Sequence, residues 1–275
     1  MKTAFIGGGN MATAIITGLF KSNPDSVVQV GDPNPEVKQR LESQCPAKVF
    51  ANATEAIKGM DVIVLAVKPQ ILSMVLNEIG DVITQDQLVV SIMAGVTSQH
   101  IADGIKADAP VIRTMPNTPA LLGLGITALY ADGNCTPTHR DQAQQLMSAA
   151  GETVWLDDES LIDVVTGVSG SGPAYYFFMI ESMSKAGTRL GLPAEVATKL
   201  AVHTAFGASS MAVESEEDVE ILKQRVTSKG GTTQAALESM QRDGFAKLID
   251  AAVSAAAERG RELASGNSPA KDSTT

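Results

Sequence analysis

The sequence predicts an α/β protein, with an N-terminal doubly wound parallel sheet and a C-terminal domain made only of helices. Three observations support this class. Residues 2–18 have the pattern of a strand, a glycine-rich turn and a helix. Apolar strand patterns then alternate with helical patterns as far as Asp157, as expected for a parallel sheet with crossover helices. Beyond Asp157 only helical patterns remain.

The glycine-rich turn fits a dinucleotide-binding fingerprint. Gly7, Gly9 and Ala12 match the pattern G-x-G-x-x-G/A directly after an apolar strand. The first glycine permits the turn, the second lets a pyrophosphate approach the backbone, and the alanine lets the helix pack close to its strand. The helix N-terminus offers free N–H groups to the phosphates. We therefore predict a Rossmann-type nucleotide site, the alternative being a glycine-rich turn that is only structural.

Asp32 follows the second predicted strand, at the spacing where an acidic residue binds the ribose 2′-hydroxyl of a dinucleotide. A carboxylate repels a 2′-phosphate, so Asp32 favours NAD over NADP. In the alternative interpretation Asp32 only shapes the Asp-Pro turn. Asn34 could still bond a phosphate oxygen, so the choice between NADP and NAD stays open.

The other strand patterns establish the expected sheet. They lie at 27–30, 47–50, 62–67, 88–92, 111–115, 125–130 and 153–156. Helical patterns between them include 71–79, 98–106 and a helix from about 140 to 150. Ligands of such sheets bind beyond the carboxyl ends of the strands. Five loops should therefore face one crevice, namely 7–12, 31–34, 66–69, 93–95 and 115–119.

The change of pattern predicts a Rossmann domain over 1–160, a helical domain over 161–264 and a disordered polar tail over 265–275. A helix behind Pro173 is apolar on nearly every side, which predicts that it is buried. A shorter helix at 216–223 has Ser215 and Asp218 as an expected N-cap pair. So small a domain with such apolar helices suggests dimerisation through them.

Composition excludes several classes of function. The 275 residues carry 21 Lys and Arg against 31 Asp and Glu, a net charge of −10, so we expect neither nucleic acid nor membrane as a partner. Cys45 and Cys135 form no motif and the three histidines do not cluster, so no metal is expected. A reduced, cytoplasmic setting is the simplest interpretation.

The second stretch with chemical meaning is 227–233, where hydroxyl residues flank two adjacent glycines directly before a helix. Exposed N–H groups there would bind a carboxylate or phosphate without any cation. The hydroxyls of Ser228, Thr232 and Thr233 add donors. The alternative interpretation is an ordinary capped loop.

Together with three further stretches, these motifs resemble those of pyrroline-5-carboxylate reductases over essentially the whole length of the chain. Of the five matching stretches, the two nearest the C-terminus are specific to this family and occur in the order that the family requires. The stretches are Gly7-Gly-Gly-Asn-Met-Ala12, Ala66-Val-Lys-Pro69, Met115-Pro-Asn-Thr-Pro119, Asp163-Val-Val-Thr-Gly-Val-Ser-Gly-Ser-Gly-Pro-Ala-Tyr175 and Thr227-Ser-Lys-Gly-Gly-Thr-Thr233.

The resemblance implies a C-terminal all-α dimerisation domain, dimers that often assemble further, and reduction of L-1-pyrroline-5-carboxylate to L-proline by NADPH or NADH. It implies that the substrate carboxylate is held by Ser228, Gly230, Gly231, Thr232 and Thr233, with Thr233 near the ring nitrogen and Glu159 close to the bound amino acid. The dinucleotide contacts that we expect come from Gly7, Gly8, Gly9, Asn10, Met11, Ala12, Asp32, Asn34, Asn52, Ala66, Val67, Lys68, Pro69, Met93, Ala94 and Gly95.

Two other functions fit parts of the sequence. A β-hydroxyacid-type dehydrogenase would need a catalytic lysine in a glycine-rich helical motif, and Lys185 and Lys199 lack that context. A non-catalytic dinucleotide-binding protein would keep 7–12 but would not need 227–233. Within the resemblance, Lys229 departs from the small or rigid residue that the family often has there.

Overall fold

The computed structural model describes residues 1–264, so the tail predicted at 265–275 lies outside the described residues. Contacts divide the chain into two units. The first is Met1–Gly170 together with the described residues from Ala255 onward, and the second is Ser171–Ser254. The domain boundary near residue 160 stays a prediction.

The first unit holds one eight-stranded sheet with the order β3-β2-β1-β4-β5-β6-β7-β8. Strands β1 to β6 run parallel to their neighbours, which confirms the predicted doubly wound sheet for those six. The strands are β1 (Lys2–Ile6), β2 (Val27–Gly31), β3 (Lys48–Phe50), β4 (Val62–Leu65), β5 (Leu88–Ser91), β6 (Val111–Met115), β7 (Gly125–Ala131) and β8 (Gly151–Trp155).

One strand pair departs from the predicted parallel arrangement. Strand β7 runs antiparallel to β6, and β8 then follows the direction of β7. The reason is the connection at 116–124, which holds only a short 3₁₀ turn, Thr118–Leu122. A parallel return needs a crossover of about a dozen residues or more, usually a helix.

Helices cover both faces of the sheet because successive side chains of a strand point to opposite faces. Phe5 of β1 packs in one buried cluster with Ile15 and Ile16 of the following helix. Its neighbour Ile6 packs in the other cluster, with Ile79. Burial of each such side chain contributes about 1.5–3 kcal/mol.

The helices of the first unit begin and end at slightly different residues from those predicted. A 3₁₀ turn at Pro69–Ile71 precedes the predicted helix at 71–79. The helix predicted from about residue 140 begins earlier, because Thr136 and His139 form a capping box there. The helices are α1 (Asn10–Ser22), α2 (Pro35–Gln44), α3 (Ala53–Ala56), α4 (Leu72–Ile79), α5 (Ser98–Asp103), α6 (Pro137–Ser148) and α7 (Leu161–Val165), with a π-helical turn at Thr166–Gly170.

The helices from residue 172 onward are α8 (Gly172–Arg189), α9 (Ala194–Glu214), α10 (Val219–Arg225), α11 (Thr232–Arg242) and α12 (Phe245–Ala264). The predicted N-cap pair of α10 is confirmed only in part, because Asp218 lies at the N-cap position but neither side chain caps the helix. Ser215 accepts a hydrogen bond from the Glu217 amide and so shapes a turn before the helix, and the side chain of Asp218 makes no capping bond. None of the helices described within 1–264 is long and apolar enough to cross a membrane.

The sequence predicts that helix α8 is buried. In the single chain this prediction is wrong for the aromatic face of the helix. It packs closely on α9, where a Cβ at Gly187 would lie 3.2 Å from that of Ala197. Tyr176, Phe177 and Phe178 face away from core packing and are 63–68% exposed. One helix partner covers only one side, so a helix that is apolar all round keeps an uncovered face.

Candidate active site

Five predicted site loops follow strands that run in the same direction. Strands β1, β2, β4, β5 and β6 are parallel, so the loops that follow them lie at one edge of the sheet. The chain order reverses at β1, which has β2 on one side and β4 on the other. Ligands of open α/β sheets bind at such a switch point.

The three consecutive glycines of the turn are required, or leave space, for different structural reasons. Gly7 has φ +96°, and a Cβ there would lie 2.8 Å from the carbonyl oxygen of Ala66. A Cβ at Gly8 would lie 2.4 Å from a methyl group of Val37 on α2. At Gly9 none of the described atoms is within 4 Å, so the space beside its backbone is open. Gly9 therefore leaves room for a ligand, whereas the other two glycines are required by the fold.

The N-terminus of α1 is free to bind an anion. Its N-cap is Gly9, none of the described side chains caps it, and its first turn has no acidic residue. Asn10 is exposed and Ala12 is fully buried beneath the helix. Free N–H groups and the helix dipole make such an end a phosphate-binding position.

Asp32 is bound to the turns on both sides of it. One carboxylate oxygen accepts from the Gly8 amide at 2.8 Å and the other from the Asn34 amide at 2.9 Å. The side chain of Asn34 accepts from Glu36 and caps α2. Asp32 thus shapes its turn, as in the alternative interpretation. Each carboxylate oxygen has two acceptor positions, so it keeps capacity for a ribose hydroxyl.

Arg40 belongs to this cluster, and sequence reasoning missed it. Its Nη2 donates to the carbonyl oxygen of Gly8 and contacts Thr13 Oγ1 at 3.4 Å. Its buried Nε has no partner among the described residues. Arg40 is thus a cation beside the glycine loop of an acidic protein. Its place in the second turn of α2 gives no motif that would have revealed it.

After β3, side-chain oxygens accept hydrogen bonds from the backbone of the site loop. Asn52 caps α3 by accepting from Glu55 at 2.8 Å, and Glu78 accepts from the amide of Ala53 at 2.9 Å. Ala66 and Val67 are half-buried, whereas Lys68 and the proline after it, Pro69, are exposed. The position of Lys68 suits either a phosphate contact or a solvated charge.

Loop 93–95 follows β5 and is tightly enclosed. Met93 and Gly95 are buried, and Ala94 is half-buried. Gly95 has φ +67°, and a Cβ there would lie 2.7 Å from the Cβ of Leu263 at the end of α12. A glycine is required here by both the backbone angle and the close packing.

Glu159 lies in the first unit and its carboxylate is already bound. One oxygen accepts from the amide of Ser98 at 2.7 Å and the other from the hydroxyl of Ser98 at 2.8 Å. Arg113 Nη1 lies 3.3 Å from the same carboxylate. The substrate contact that the resemblance implies for Glu159 stays a prediction. Tyr130 lies on β7, opposite Arg113 of β6. Burial raises the pKa of Tyr130, and the negative charge of Glu159 raises it further.

Two stretches quoted for the resemblance meet at Asn117. Its amide nitrogen donates to the carbonyl oxygen of Ser169 at 3.2 Å, in the π-helical turn, and its amide oxygen accepts from Ile126 at 3.0 Å. A Cβ at Gly170 would lie 2.5 Å from the terminal methyl group of Met115. π-Helical turns are frequent at functional sites.

In the second unit, loop 227–233 forms the uncapped N-terminus of α11. Gly230 has φ +74° and its amide donates to Gln234 Oε1 at 2.7 Å, while Gly231 is the N-cap. None of the described side chains caps this helix. The hydroxyl-bearing Ser228 and Thr232 are exposed and Thr233 is half-buried. The amide of Gly231 donates to the carbonyl oxygen of Ser228 at 3.0 Å, so the prediction of free N–H groups is wrong for both glycines. The amides of Thr232 and Thr233 and the hydroxyls of the loop are the remaining candidate donors for a carboxylate.

Among residues 1–264, no group of three His, Cys, Asp or Glu side chains could hold a metal ion. The arrangement at the sheet edge is instead that of a dinucleotide-binding α/β protein of oxidoreductase type: a glycine loop at a switch point, with an acidic residue after the next strand.

Comparison with known proteins identifies the family. Residues 159–263 match the family model described as pyrroline-5-carboxylate reductase dimerisation, and residues 2–95 match the one described as NADP oxidoreductase, coenzyme F420-dependent. The pyrroline-5-carboxylate reductase of Pseudomonas aeruginosa is 43% identical over 264 residues, covering 96% of this chain and 97% of that protein. The one from Haemophilus influenzae is 40% identical over 262 residues, covering 94% and 96%.

Solved structures agree. The reductase from Coxiella burnetii superposes with a TM-score of 0.90 at 35% identity, covering 95% of this chain and 98% of that one. The pyrroline carboxylate reductase of Plasmodium falciparum, solved with NADP bound, has a TM-score of 0.83 at 28% identity, covering 96% and 98%. The chain belongs to the pyrroline-5-carboxylate reductase family, which confirms the resemblance and sets aside the two alternative functions.

Proposed function

We propose that this protein reduces L-1-pyrroline-5-carboxylate to L-proline with NADPH or NADH, as the final step of proline biosynthesis. The observation that carries the proposal is the 43% identity to a pyrroline-5-carboxylate reductase over 96% of the chain. The reaction makes it an oxidoreductase acting on a cyclic imine. A protonated imine accepts hydride readily, so the protein mainly has to hold the ring carbon C5 against C4 of the nicotinamide.

The cofactor site that we propose is the edge of the sheet in the first unit. The open backbone at Gly9 and the uncapped end of α1 would hold the pyrophosphate, and Asp32, Asn34 and Asn52 would lie along the adenosine. Loops 66–69 and 93–95 would border the nicotinamide. When bound, the cofactor supplies the hydride, and the protein contributes position and electrostatics.

The substrate site that we propose is the N-terminus of α11. The free N–H groups of this helix and the hydroxyl of Ser228 would neutralise the carboxylate without a cation. Thr233, a half-buried residue at the start of α11, would hydrogen-bond the ring nitrogen through its hydroxyl or relay its proton. Lys229, exposed on the same loop, would add attraction for the anion.

The assembly that we propose is a dimer formed through 161–264, with 1–160 as the cofactor-binding domain. The uncovered aromatic face of α8 and the match of 159–263 to the dimerisation family support it. Dimers would associate further into a ring. The two cysteines are both free, in keeping with the proposed cytoplasmic location.

The test is a cofactor assay. The absorbance of reduced cofactor is followed with pyrroline-5-carboxylate present, once with NADH and once with NADPH. The proposal predicts substrate-dependent loss of absorbance with at least one cofactor, and formation of proline in equal amount. Absence of turnover with both cofactors, in protein shown to be folded, would refute it.

A further inference from the structure

Arg113 is the largest fully buried side chain of the first unit, at 1% exposure on β6. A buried guanidinium is tolerated only with partners, since its desolvation is costly. Nη2 lies 3.0 Å from Asp163 on α7, and Nη1 lies 3.3 Å from Glu159 just before α7. Arg113 thereby holds both carboxylates next to β6.

Glu159, which Arg113 holds in place, also binds the residue that follows segment 93–97, between β5 and α5. Its carboxylate receives both donors of Ser98, the first residue of α5. Thr97 caps the same helix by accepting from the amide of His100. Because β5 fixes one end of the segment and Glu159 the other, the loop between them has little freedom.

The C-terminal end of α12 holds the same segment from another side. Gly95 packs against Leu263, and Gly260 packs against Asp163, whose side chain lies 3.5 Å from the position of an added Cβ. Arg113, Glu159 and Asp163 with Ser98 thus form one connected group around loop 93–95.

We propose that Glu159 is a positioning residue that holds loop 93–97 in place for the nicotinamide, and that it is not a ligand of the substrate. The inference rests on the proposed function, which assigns 93–95 to the nicotinamide. Three donors, two from Ser98 and one from Arg113, already face the Glu159 carboxylate. They fill both acceptor positions of Oε1 and one of Oε2, so contacts within this chain set the orientation of the carboxylate before any ligand binds.

The test compares Glu159→Gln with Ser98→Ala, which removes one hydroxyl and disturbs folding less. Both should weaken binding of reduced cofactor and lower kcat, each by about tenfold, because a displaced loop misplaces the nicotinamide. KM for pyrroline-5-carboxylate should change by less than about twofold, and the double variant should be no worse than Glu159→Gln, as expected for residues acting as one unit. Ser98→Thr keeps the hydroxyl and should restore both values.

The matched control is Glu152→Gln, an exposed position on β8 that should leave every value unchanged. Three results would overturn the inference: a rise in KM for the imine alone, a lower melting temperature with unchanged kinetics and binding, or additive effects of the two variants. Cofactor binding is measured without turnover. An inactive wild type would therefore refute the proposed function, while the binding comparison still decides the role of Glu159.

Discussion

The two units of this chain use their apolar residues differently. In the first unit every residue of β4 is buried, and helices cover both faces of the sheet. In the second unit α10 and α11 have no buried residue, and on α9 only Ala197 and Ala201 are buried. The first unit completes its core within one chain, whereas the second leaves an apolar face that a second copy would cover.

The largest expected effect concerns the buried guanidinium of Arg113 and its two carboxylate partners in the first unit. Arg113→Ala leaves the buried carboxylate of Asp163 without its ion pair and leaves Glu159 with only its two bonds from Ser98, so we expect a loss of about 3–5 kcal/mol in unfolding free energy. Urea unfolding measures it. The control is Lys106→Ala, which breaks an exposed pair with Asp81 and should cost less than about 1 kcal/mol. Equal losses in the two variants would contradict the account.

A charged substitution on the exposed aromatic face of the second unit should weaken self-association. Phe178→Glu places a charge on the uncovered face of α8, and we expect it to weaken self-association by about 2–4 kcal/mol, as for a central interface residue. Light scattering should then show single chains at micromolar concentration. Met74→Glu is the matched control, since Met74 is 63% exposed but lies on α4 of the first unit. If both variants kept the wild-type mass, the comparison between the units would fail.

Thr233 tests the chemical role of the second unit. Thr233→Ala should lower kcat/KM by about tenfold to a hundredfold, or about 1.4–2.7 kcal/mol, with little change in cofactor affinity. Thr188→Ala is the control, because the hydroxyl of Thr188 already bonds the carbonyl oxygen of Ser184 on exposed α8. Full kcat/KM in Thr233→Ala would remove the proposed role.

Asp32 tests the cofactor preference of the first unit. Asp32→Ser removes a negative charge beside the proposed ribose site, so kcat/KM with NADPH should rise relative to NADH by about tenfold, or roughly 1.4 kcal/mol. The nearby guanidinium of Arg40 favours the same change. Steady-state kinetics with both cofactors measure the ratio, and an unchanged ratio would mean that Asp32 only shapes its turn.

The smallest expected effect is the reactivity of Cys135. Burial, and then its hydrogen bond to Asp132, raise the pKa of this thiol. The thiol therefore stays protonated at pH 8, where only a thiolate would attack a disulfide reagent. Native protein should react slowly with Ellman's reagent, and protein in denaturant should titrate two thiols. Rapid reaction of one thiol in native protein would contradict this.

Much of the first unit could be predicted because its sequence patterns reflect turns and packing contacts made within the same unit. Gly7 and Ala12 are required by the turn and the helix packing of this same chain, so their spacing carries the information. The reversal of β7 was missed because it depends on the length of a connection, and strand patterns do not encode direction. Arg40 and Arg113 were missed because their partners lie far away in sequence.

The second unit was harder to predict. The apolar run 174–180 correctly indicates a helix that needs cover, but periodicity cannot distinguish cover by the same chain from cover by another one. The sequence of loop 227–233 predicts an anion site because two adjacent glycines and several hydroxyl residues precede a helix, but it does not show that the amides of both glycines are bonded within the loop and to Gln234. Its substrate was known only through the resemblance.

The most direct measurement of the central claim follows the hydride itself. Nicotinamide cofactor carrying deuterium at C4, in separate 4R and 4S forms, is incubated with the protein and pyrroline-5-carboxylate, and the product is analysed by mass spectrometry and NMR. The account predicts L-proline with one deuterium at C5 from one of the two forms. Oxidised cofactor without labelled proline, or proline without deuterium from either form, would contradict it.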